Sequence, residues 1–280
     1  MELILGTAQL TRPYGVLEAR SEAEAIVGGA SILEKARECG TRAVDTAPTY
    51  GSAEKIIGRS GFDFEIHTKL DPSLSPRQSL ERSAGTLLPS VISVVYFHEQ
   101  YLGTREQLDF LGWVTQSPFQ SVEVGVSIYS EDEFWRALER PEITVIQIPF
   151  SFLDRRFGTA LQEEAVGRGK KLYARSIFHQ GLLSREAADI SFLDDSVVLA
   201  VEQFRKAART CELSPAQVAM GWVRRHNLLS GIVIGATSAA EWQDTVDIFS
   251  NSETTPSCAA LEEIPLPHWS VIDPRRWSAP

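Results

Sequence analysis

Residues 64–98 read FEIHTKLDPSLSPRQSLERSAGTLLPSVISVVYFH, and this stretch contains the unit from which the fold is built. Two short apolar runs, 64–70 and 91–98, have the length and residue types of buried strands. Between them, residues 76–88 have helical spacing, with Ser75 placed to cap the helix and Pro76 at its first position. The stretch therefore predicts two parallel strands joined by a helical crossover.

The same alternation extends along the rest of the chain. Further strands are predicted at 3–8, 42–46, 121–127, 144–149, 171–176 and 231–235, and further helices at 25–39, 53–58, 104–115, 130–140, 158–168, 197–211, 215–226 and 239–249. Eight strand–helix units, with one extra helix before the eighth strand, favour a single α/β domain over 1–280 that is a closed (β/α)8 TIM barrel. An open doubly wound sheet is the alternative.

The last thirty residues, 251–280, lack a helical or strand pattern and are rich in proline and tryptophan. We expect an irregular C-terminal tail. It either covers the barrel mouth, where large rings would shape a ligand site, or packs on the outer helices.

Composition excludes several classes of protein. The chain has 280 residues and a net charge of −10 without a basic cluster, which argues against nucleic-acid binding. Its first residues predict a strand instead of a signal peptide, and no apolar run is long enough for a membrane span. Cys39, Cys211 and Cys258 are far apart in sequence and lack zinc-site spacing, so we expect no metal, reduced thiols and a cytoplasmic location.

Four polar side chains follow three consecutive predicted strands, at the barrel end where active sites form. Asp45 ends the second strand, Lys69 the third and His98 the fourth, while Tyr50 lies in the loop after Asp45. A lysine lowers the pKa of a nearby tyrosine, an aspartate holds that lysine in place, and a neutral histidine orients a carbonyl. Singly, each has a structural interpretation as a helix cap, loop anchor, solvated strand end or buried histidine; together they indicate proton transfer to a carbonyl.

The segment VDTAPTYG at 44–51, with Glu54 and Gly58, resembles the signature of the aldo-keto reductases. Thr68-Lys69 and the run 95–98 resemble that family's lysine and histidine strands. The resemblance extends from residues 5–8 to 234–236 and implies a (β/α)8 barrel. It also implies that Asp45, Tyr50, Lys69 and His98 are catalytic.

The resemblance further implies an extended NADPH or NADH bound without a glycine-rich Rossmann loop. The positions that it assigns to the cofactor are Gly6, Thr7, Ala8, Ser127, Gln147, Arg175, Ser176, Gly181, Leu182, Gly235, Thr237, Ser238, Glu241 and Asp244.

Three positions depart from better-known members of that family. Ile128 and Tyr129 follow Ser127 where many members have asparagine, and Arg175 replaces an aromatic residue that stacks on the nicotinamide. Arg175 either stacks there itself or faces the substrate or the carboxamide. Glu241, with Asp244 nearby, stands where an arginine binds the 2′-phosphate of NADPH, so NADH is expected to bind at least as well.

The sequence thus predicts an enzyme that transfers hydride between NAD(P)H and a small carbonyl or alcohol, with Tyr50 as general acid or base. A sugar-like carbonyl is the first expectation for the substrate, because residues 6–9 and 13–15 resemble bacterial members linked to sugar or natural-product pathways. A non-catalytic dinucleotide-binding regulator and a non-redox lyase or isomerase are the alternatives. The oligomeric state is left open.

Overall fold

The computed structural model describes residues 1–11, 22–98, 104–185, 190–251 and 259–277, without the side chains of residues 22–25 and 98. Eight parallel strands close into a barrel in chain order, with β8 paired to β1. The strands are β1 (Glu2–Gly6), β2 (Ala43–Asp45), β3 (Glu65–Lys69), β4 (Val91–His98), β5 (Glu123–Ser127), β6 (Val145–Pro149), β7 (Lys171–Arg175) and β8 (Gly231–Gly235). The predicted barrel is confirmed, and the open sheet is excluded.

Helices alternate with the strands, and two of them separate β7 from β8, which confirms the extra helix. They are α1 (Glu22–Glu38), α2 (Ala53–Ser60), α3 (Pro76–Leu87), α4 (Arg105–Val114), α5 (Glu131–Leu138), α6 (Thr159–Gly167), α7 (Asp195–Thr210), α8 (Pro215–Arg224), α9 (Ala239–Asn251) and α10 (Trp269–Ile272). Ser75 caps α3 as predicted, in a reciprocal capping box with Gln78 and with proline in the first turn.

The inside of the barrel is filled by side chains. One buried cluster consists of inward-facing residues: Ile4, Ala43, Val94, Tyr96, Val145, Tyr173 and Val233. Gly125 makes room for the ring of Tyr96, since an added Cβ at Gly125 would lie 2.8 Å from Tyr96 Cδ1. The barrel is therefore a packed core, and any ligand must bind at its end.

His67 lies within this core and is only 3% exposed. Its Nδ1 is 3.2 Å from the Tyr96 hydroxyl, and its ring meets that of Tyr173 edge to face at 4.9 Å. Burial lowers the pKa of His67 to about 4, so the barrel contains a neutral imidazole at neutral pH.

Helices α2 and α3 touch through the second half of the motif at 44–58. A Cβ at Gly58 would lie 2.0 Å from the carbonyl oxygen of Thr86. Glu54 is buried and accepts hydrogen bonds from Thr68 on β3 (2.9 Å) and from Ser83 on α3 (3.3 Å). Glycine and glutamate at these positions thus fix two helices and a strand.

The described part of the tail, 259–277, consists of short helical turns and α10. His179 Nε2 donates to the carbonyl of Ile272 at 2.8 Å, and Leu261, Ile264 and Ile272 join an apolar cluster with residues of α7 and α8. Asp273 and Arg275 reach the rim of the barrel beside Tyr129. The tail therefore contacts both the outer helices and the rim.

One expectation about the cysteines is wrong. Cys39 is a free thiol, but Cys211 takes part in a disulfide bond. The expectation of reduced thiols rested on the distance between the cysteines along the sequence. Cysteines that are far apart in sequence can still be close in the folded chain.

Candidate active site

The predicted catalytic residues lie at the carboxyl ends of neighbouring strands. Asp45 is the last residue of β2, Lys69 of β3 and His98 of β4. The register places Asp45 opposite Gly6 of β1 and His98 opposite Ser127 of β5, so these residues share one end of the barrel. The side chain of His98 falls outside the described structure.

A buried ion pair forms the base of the site. Lys69 Nζ lies 2.7 Å from Asp45 Oδ1 and donates to the Thr46 carbonyl at 3.2 Å. Burial alone would lower the pKa of Lys69, but the charge of Asp45 and the interaction with Tyr50 outweigh it, and the pKa is raised. Lys69 is therefore a fixed ammonium at neutral pH.

Asp45 is held from its other side by two polar side chains. Gln147 Nε2 donates to Asp45 Oδ2 at 2.8 Å, and Ser127 Oγ donates to Gln147 Oε1 at 3.0 Å. Ser127 and Gln147 thus support the carboxylate in this structure, and they do not line the cleft described below.

Tyr50 is placed above the pair by a tight turn. Its N–H donates to the Ala47 carbonyl at 3.0 Å, and Gly51 follows with φ of 60°. Lys69 Nζ is 5.2 Å from the centre of the Tyr50 ring. Burial raises the pKa of Tyr50; Lys69 and Arg175 oppose the rise, and Asp45 adds to it. The phenol therefore keeps its proton at neutral pH and lies beside a cation.

A cleft runs from Tyr50 and Asp45 across the ends of β1, β7 and β8 to the first turn of α9. Among its lining residues are seven positions expected to bind cofactor: Gly6, Ala8, Arg175, Ser176, Gly181, Gly235 and Glu241. An added Cβ at Gly235 would lie 2.5 Å from Gln9 Oε1, so a larger residue at this position would require the Gln9 side chain to move. Gln9 Oε1 is buried and has no hydrogen-bond partner among the described residues. A cleft with both polar and apolar lining residues and an unused buried acceptor fits an extended ligand that carries polar groups.

Several expected cofactor positions do not line this cleft. Thr7 is fully buried and donates its hydroxyl to the Asp45 carbonyl at 3.0 Å, while Leu182 packs in the apolar cluster beneath the loop. Ser238 caps α9 by accepting from Glu241 N at 3.1 Å. Thr237 is bound to Glu241, and Asp244 is exposed. These residues shape or terminate the elements around the cleft.

The loop between β7 and α7 forms one wall of the cleft and supplies residues that the sequence pattern did not reveal. Ser184 and Arg185 line the cleft beyond the segment 176–182, which is expected to lie along the pyrophosphate and which contributes Ser176, Gln180 and Gly181. The backbone is left-handed at Ser176, Gln180 and Gly181, with φ of 60°, 58° and 95°. Such turns lack periodicity, and only the glycine is a recognisable signal.

Glu241 closes the far end of the cleft with both carboxylate oxygens engaged. Its Oε2 accepts from Thr237 N at 2.7 Å and from Thr237 Oγ1 at 2.6 Å. Its Oε1 lies 3.8 Å from an Arg185 guanidinium nitrogen. A carboxylate of the chain thus occupies the donors of a small anion site at a helix N-terminus.

Within the described ranges, no group of His, Cys, Asp and Glu side chains is arranged to hold a metal ion. No helix of those ranges is long and apolar enough to cross a membrane. The chemistry that the site offers is proton donation by Tyr50 next to the Lys69 ammonium.

Comparison with known proteins agrees with this geometry. The model of the aldo/keto reductase family matches residues 2–265, and the chain belongs to that family. No curated protein sequence matches it.

Among solved structures, one of a Pseudomonas aeruginosa protein described as an aldo-keto reductase has 19% identity over 90% of both chains, with a TM-score of 0.64. A glycerol dehydrogenase from Gluconobacter oxydans has 19% identity over 94% of this chain and 90% of its own, with a TM-score of 0.66. At this identity, the two likenesses show the fold alone, whereas membership of the family supports oxidoreductase activity.

Proposed function

We propose that the protein transfers hydride between NAD(P)H and a small carbonyl or alcohol. The observation that carries this proposal is the Tyr50 phenol, which faces a cleft beside the buried Lys69–Asp45 pair. Burying an ion pair has a desolvation penalty that can exceed the attraction between the two charges. A module that only binds a ligand does not need such a pair behind a tyrosine.

In the proposed reaction, the chemistry that NAD(P)H would supply when bound is a hydride for the carbonyl carbon. As the C=O π electrons move to oxygen, Tyr50 donates its proton to that oxygen, and the Lys69 ammonium stabilises the phenolate that remains. Asp45 holds Lys69, and His98 orients the carbonyl. Oxidation of an alcohol reverses these steps, with the Tyr50 phenolate as base.

The residues that would hold the cofactor line the cleft from Tyr50 to α9. Gly6, Ala8 and Gly235 would leave room for it, and Ser176, Gly181 and Ser184 of the β7–α7 loop would contact it. Ser127 and Gln147 act mainly through Asp45, and Thr7, Leu182, Thr237, Ser238 and Asp244 act by supporting the walls.

The far end of the cleft bears on the choice between NADH and NADPH. Glu241 already uses the N–H and hydroxyl of Thr237 and lies near Arg185, so a 2′-phosphate would have to displace a carboxylate of like charge. We propose that NADH binds at least as well as NADPH.

We further propose that residues 1–280 form one barrel domain and that the tail forms part of the rim of its mouth. The contacts of Asp273 and Arg275 near Tyr129 support this proposal. A sugar-like carbonyl remains the first substrate class to test.

The test is a fluorescence titration of the protein with NADH and NADPH, followed by a panel of aldehydes and sugars that monitors the absorbance of the reduced cofactor. We expect cofactor oxidation with some members of the panel. Tyr50→Phe should lower turnover strongly and leave cofactor affinity nearly unchanged, because only the proton donor is lost. Wild-type turnover by Tyr50→Phe would remove Tyr50 from the mechanism.

The two alternatives give different results in the same assay. Cofactor binding without oxidation by any carbonyl would indicate a regulatory subunit. Conversion of a substrate without net oxidation of the cofactor would indicate a lyase or isomerase.

A further inference from the structure

We propose that Arg175 makes this enzyme selective for carbonyl substrates that carry a carboxylate. The inference rests on the proposed function, since it assigns the substrate class of the same cleft. Arg175 is the last residue of β7 and is partly buried. It lines the cleft together with Tyr50, so a substrate whose carbonyl meets the phenol lies within reach of the guanidinium.

The other charges of the cleft are balanced by partners within the chain. Asp45 is paired with Lys69 at 2.7 Å, and Glu241 lies 3.8 Å from Arg185. Arg175 has no carboxylate within salt-bridge distance among the described residues. The cleft therefore presents a positive charge near the reacting end that no residue of the described chain neutralises.

A second cavity lies on the other side of Arg175, and its charges are balanced too. It is lined by residues of the β5–α5 and β6–α6 loops and of the tail. Arg156 is paired with Asp154 at 2.6 Å, and Arg275 is paired with Asp273 at 2.7 Å. Both aspartates of this cavity are paired with other arginines, so neither compensates the charge of Arg175.

The guanidinium of Arg175 is held in position. One of its nitrogens donates to the Ile128 carbonyl at 3.1 Å, and its Cζ lies 4.2 Å from the centre of the Tyr129 ring. Tyr129 is itself held, because Arg156 donates to its carbonyl at 2.7 Å and Arg275 stacks on its ring at 3.9 Å.

A guanidinium has five N–H donors, and only one donates to a described residue. The remaining donors match the fork of a carboxylate, which is the ligand that a preorganised arginine binds best. Stacking on Tyr129 also occupies one face of the Arg175 guanidinium. This argues against the alternative that Arg175 only takes the place of an aromatic residue and stacks on the nicotinamide.

The experiment compares two aldehydes of the same shape, 4-carboxybenzaldehyde and its neutral amide, 4-formylbenzamide. We expect the wild-type kcat/KM to be about tenfold or more higher for the acid, the size of effect typical of a charge-assisted hydrogen bond. In Arg175→Gln the ratio of the two values should fall to about one, and Arg175→Lys should restore part of it. Any effect of Arg175 on the cofactor cancels in this ratio.

The matched control is Arg209→Gln, the same change on the exposed surface of α7, and it should keep the wild-type ratio. A second measurement does not depend on turnover: calorimetric titration with benzoate should give about tenfold weaker binding to Arg175→Gln than to wild type. Equal kcat/KM for the two aldehydes in an active wild-type enzyme would overturn the inference and leave the proposed function standing. Absence of turnover with both aldehydes, together with Arg175-dependent benzoate binding, would contradict the proposed function and support the anion site. Equal benzoate affinity in wild type and Arg175→Gln would overturn the inference about Arg175.

Discussion

At the scale of single residues, the state of Tyr50 depends on Lys69. Because Lys69 opposes the rise that burial causes in the pKa of Tyr50, its removal should raise that pKa further. We expect Lys69→Met to lower kcat by about a hundredfold or more, in the range of general-acid effects. The basic limb of the residual pH–rate profile for reduction should move upward, since the phenol then keeps its proton to higher pH.

Lys69→Arg is the control for charge. It retains a cation beside Asp45, so its basic limb should remain closer to that of the wild type. An unchanged basic limb in Lys69→Met would mean that the observed ionisation belongs to another group.

We propose that Glu241 sets the preference between the two cofactors. Glu241→Gln removes a negative charge and keeps a side chain of nearly the same shape. We expect the affinity for NADPH relative to NADH to rise about tenfold, as Arg185 and Thr237 become available to the 2′-phosphate. Dissociation constants for both cofactors measure this ratio, with the exposed Asp244→Asn as a control that should change it little. Wild-type protein that binds NADPH tenfold more tightly at low salt would refute the preference for NADH.

The residues of the site differ in how far the sequence reveals them. Asp45, Tyr50 and Lys69 were predictable because strand ends and a distinctive motif fix their positions. Arg185 and Ser184 were not, since they lie on a loop whose path depends on left-handed turns at Ser176 and Gln180. The contacts of Glu241 and Gln147 were not predictable either. Glu241 accepts from Thr237 at the start of α9, and Gln147 donates to Asp45 across the barrel.

At the scale of elements, the cap of α3 offers a direct test of the helix signals. Ser75 accepts from Gln78 N at 3.4 Å, and Gln78 accepts in return from Ser75 N. We expect Ser75→Ala to lower the free energy of unfolding by about 1 kcal/mol, the usual effect of losing an N-cap. Urea denaturation measures the change, and Ser31→Ala in the interior of α1 is the control, with little effect or a slight gain. Equal stabilities of Ser75→Ala and wild type would show that the cap contributes nothing.

Element types were predictable, and their ends were less so. The periodicity from 53 to 58 predicted a helix that ends at Gly58, but α2 continues to Ser60 and ends at Gly61 in the left-handed conformation. The sequence does not reveal whether a glycine ends a helix or lets a neighbouring helix approach closely. Gly58 is a contact with the Thr86 backbone and does not interrupt the helix.

At the scale of the whole molecule, the buried imidazole of His67 links stability to pH. Its pKa of about 4 in the folded barrel lies below the ordinary value of 6.5, so the unfolded chain binds the proton more readily. The stabilisation is present above pH 6.5 and is lost as the pH falls towards 4; the difference in pKa corresponds to about 3 kcal/mol.

We expect His67→Gln to flatten the decline in the free energy of unfolding between pH 7 and pH 4. Denaturation curves at several pH values test this, and His268→Gln, on the exposed tail, should retain the wild-type slope. Identical slopes for His67→Gln and wild type would contradict the role of His67.

The architecture of the whole molecule was predictable because eight repeats of one pattern allow few topologies. The disulfide at Cys211 was not, since composition alone does not report which cysteines meet. The path of the tail was also beyond the sequence, because its contacts with Tyr129 and His179 are made by short turns without periodicity.

The contact between Gly58 and Thr86 gives the motif at 44–58 a second meaning for protein engineering. Its first half presents Asp45 and Tyr50, whereas its second half, through Glu54 and Gly58, sets how closely two helices approach. Transplanting the whole segment into another barrel would therefore succeed only where the recipient's next helix can come to touching distance. Conversely, the half with Asp45 and Tyr50 is open to redesign in place, because the spacing of the two helices is specified by Glu54 and Gly58 in the other half.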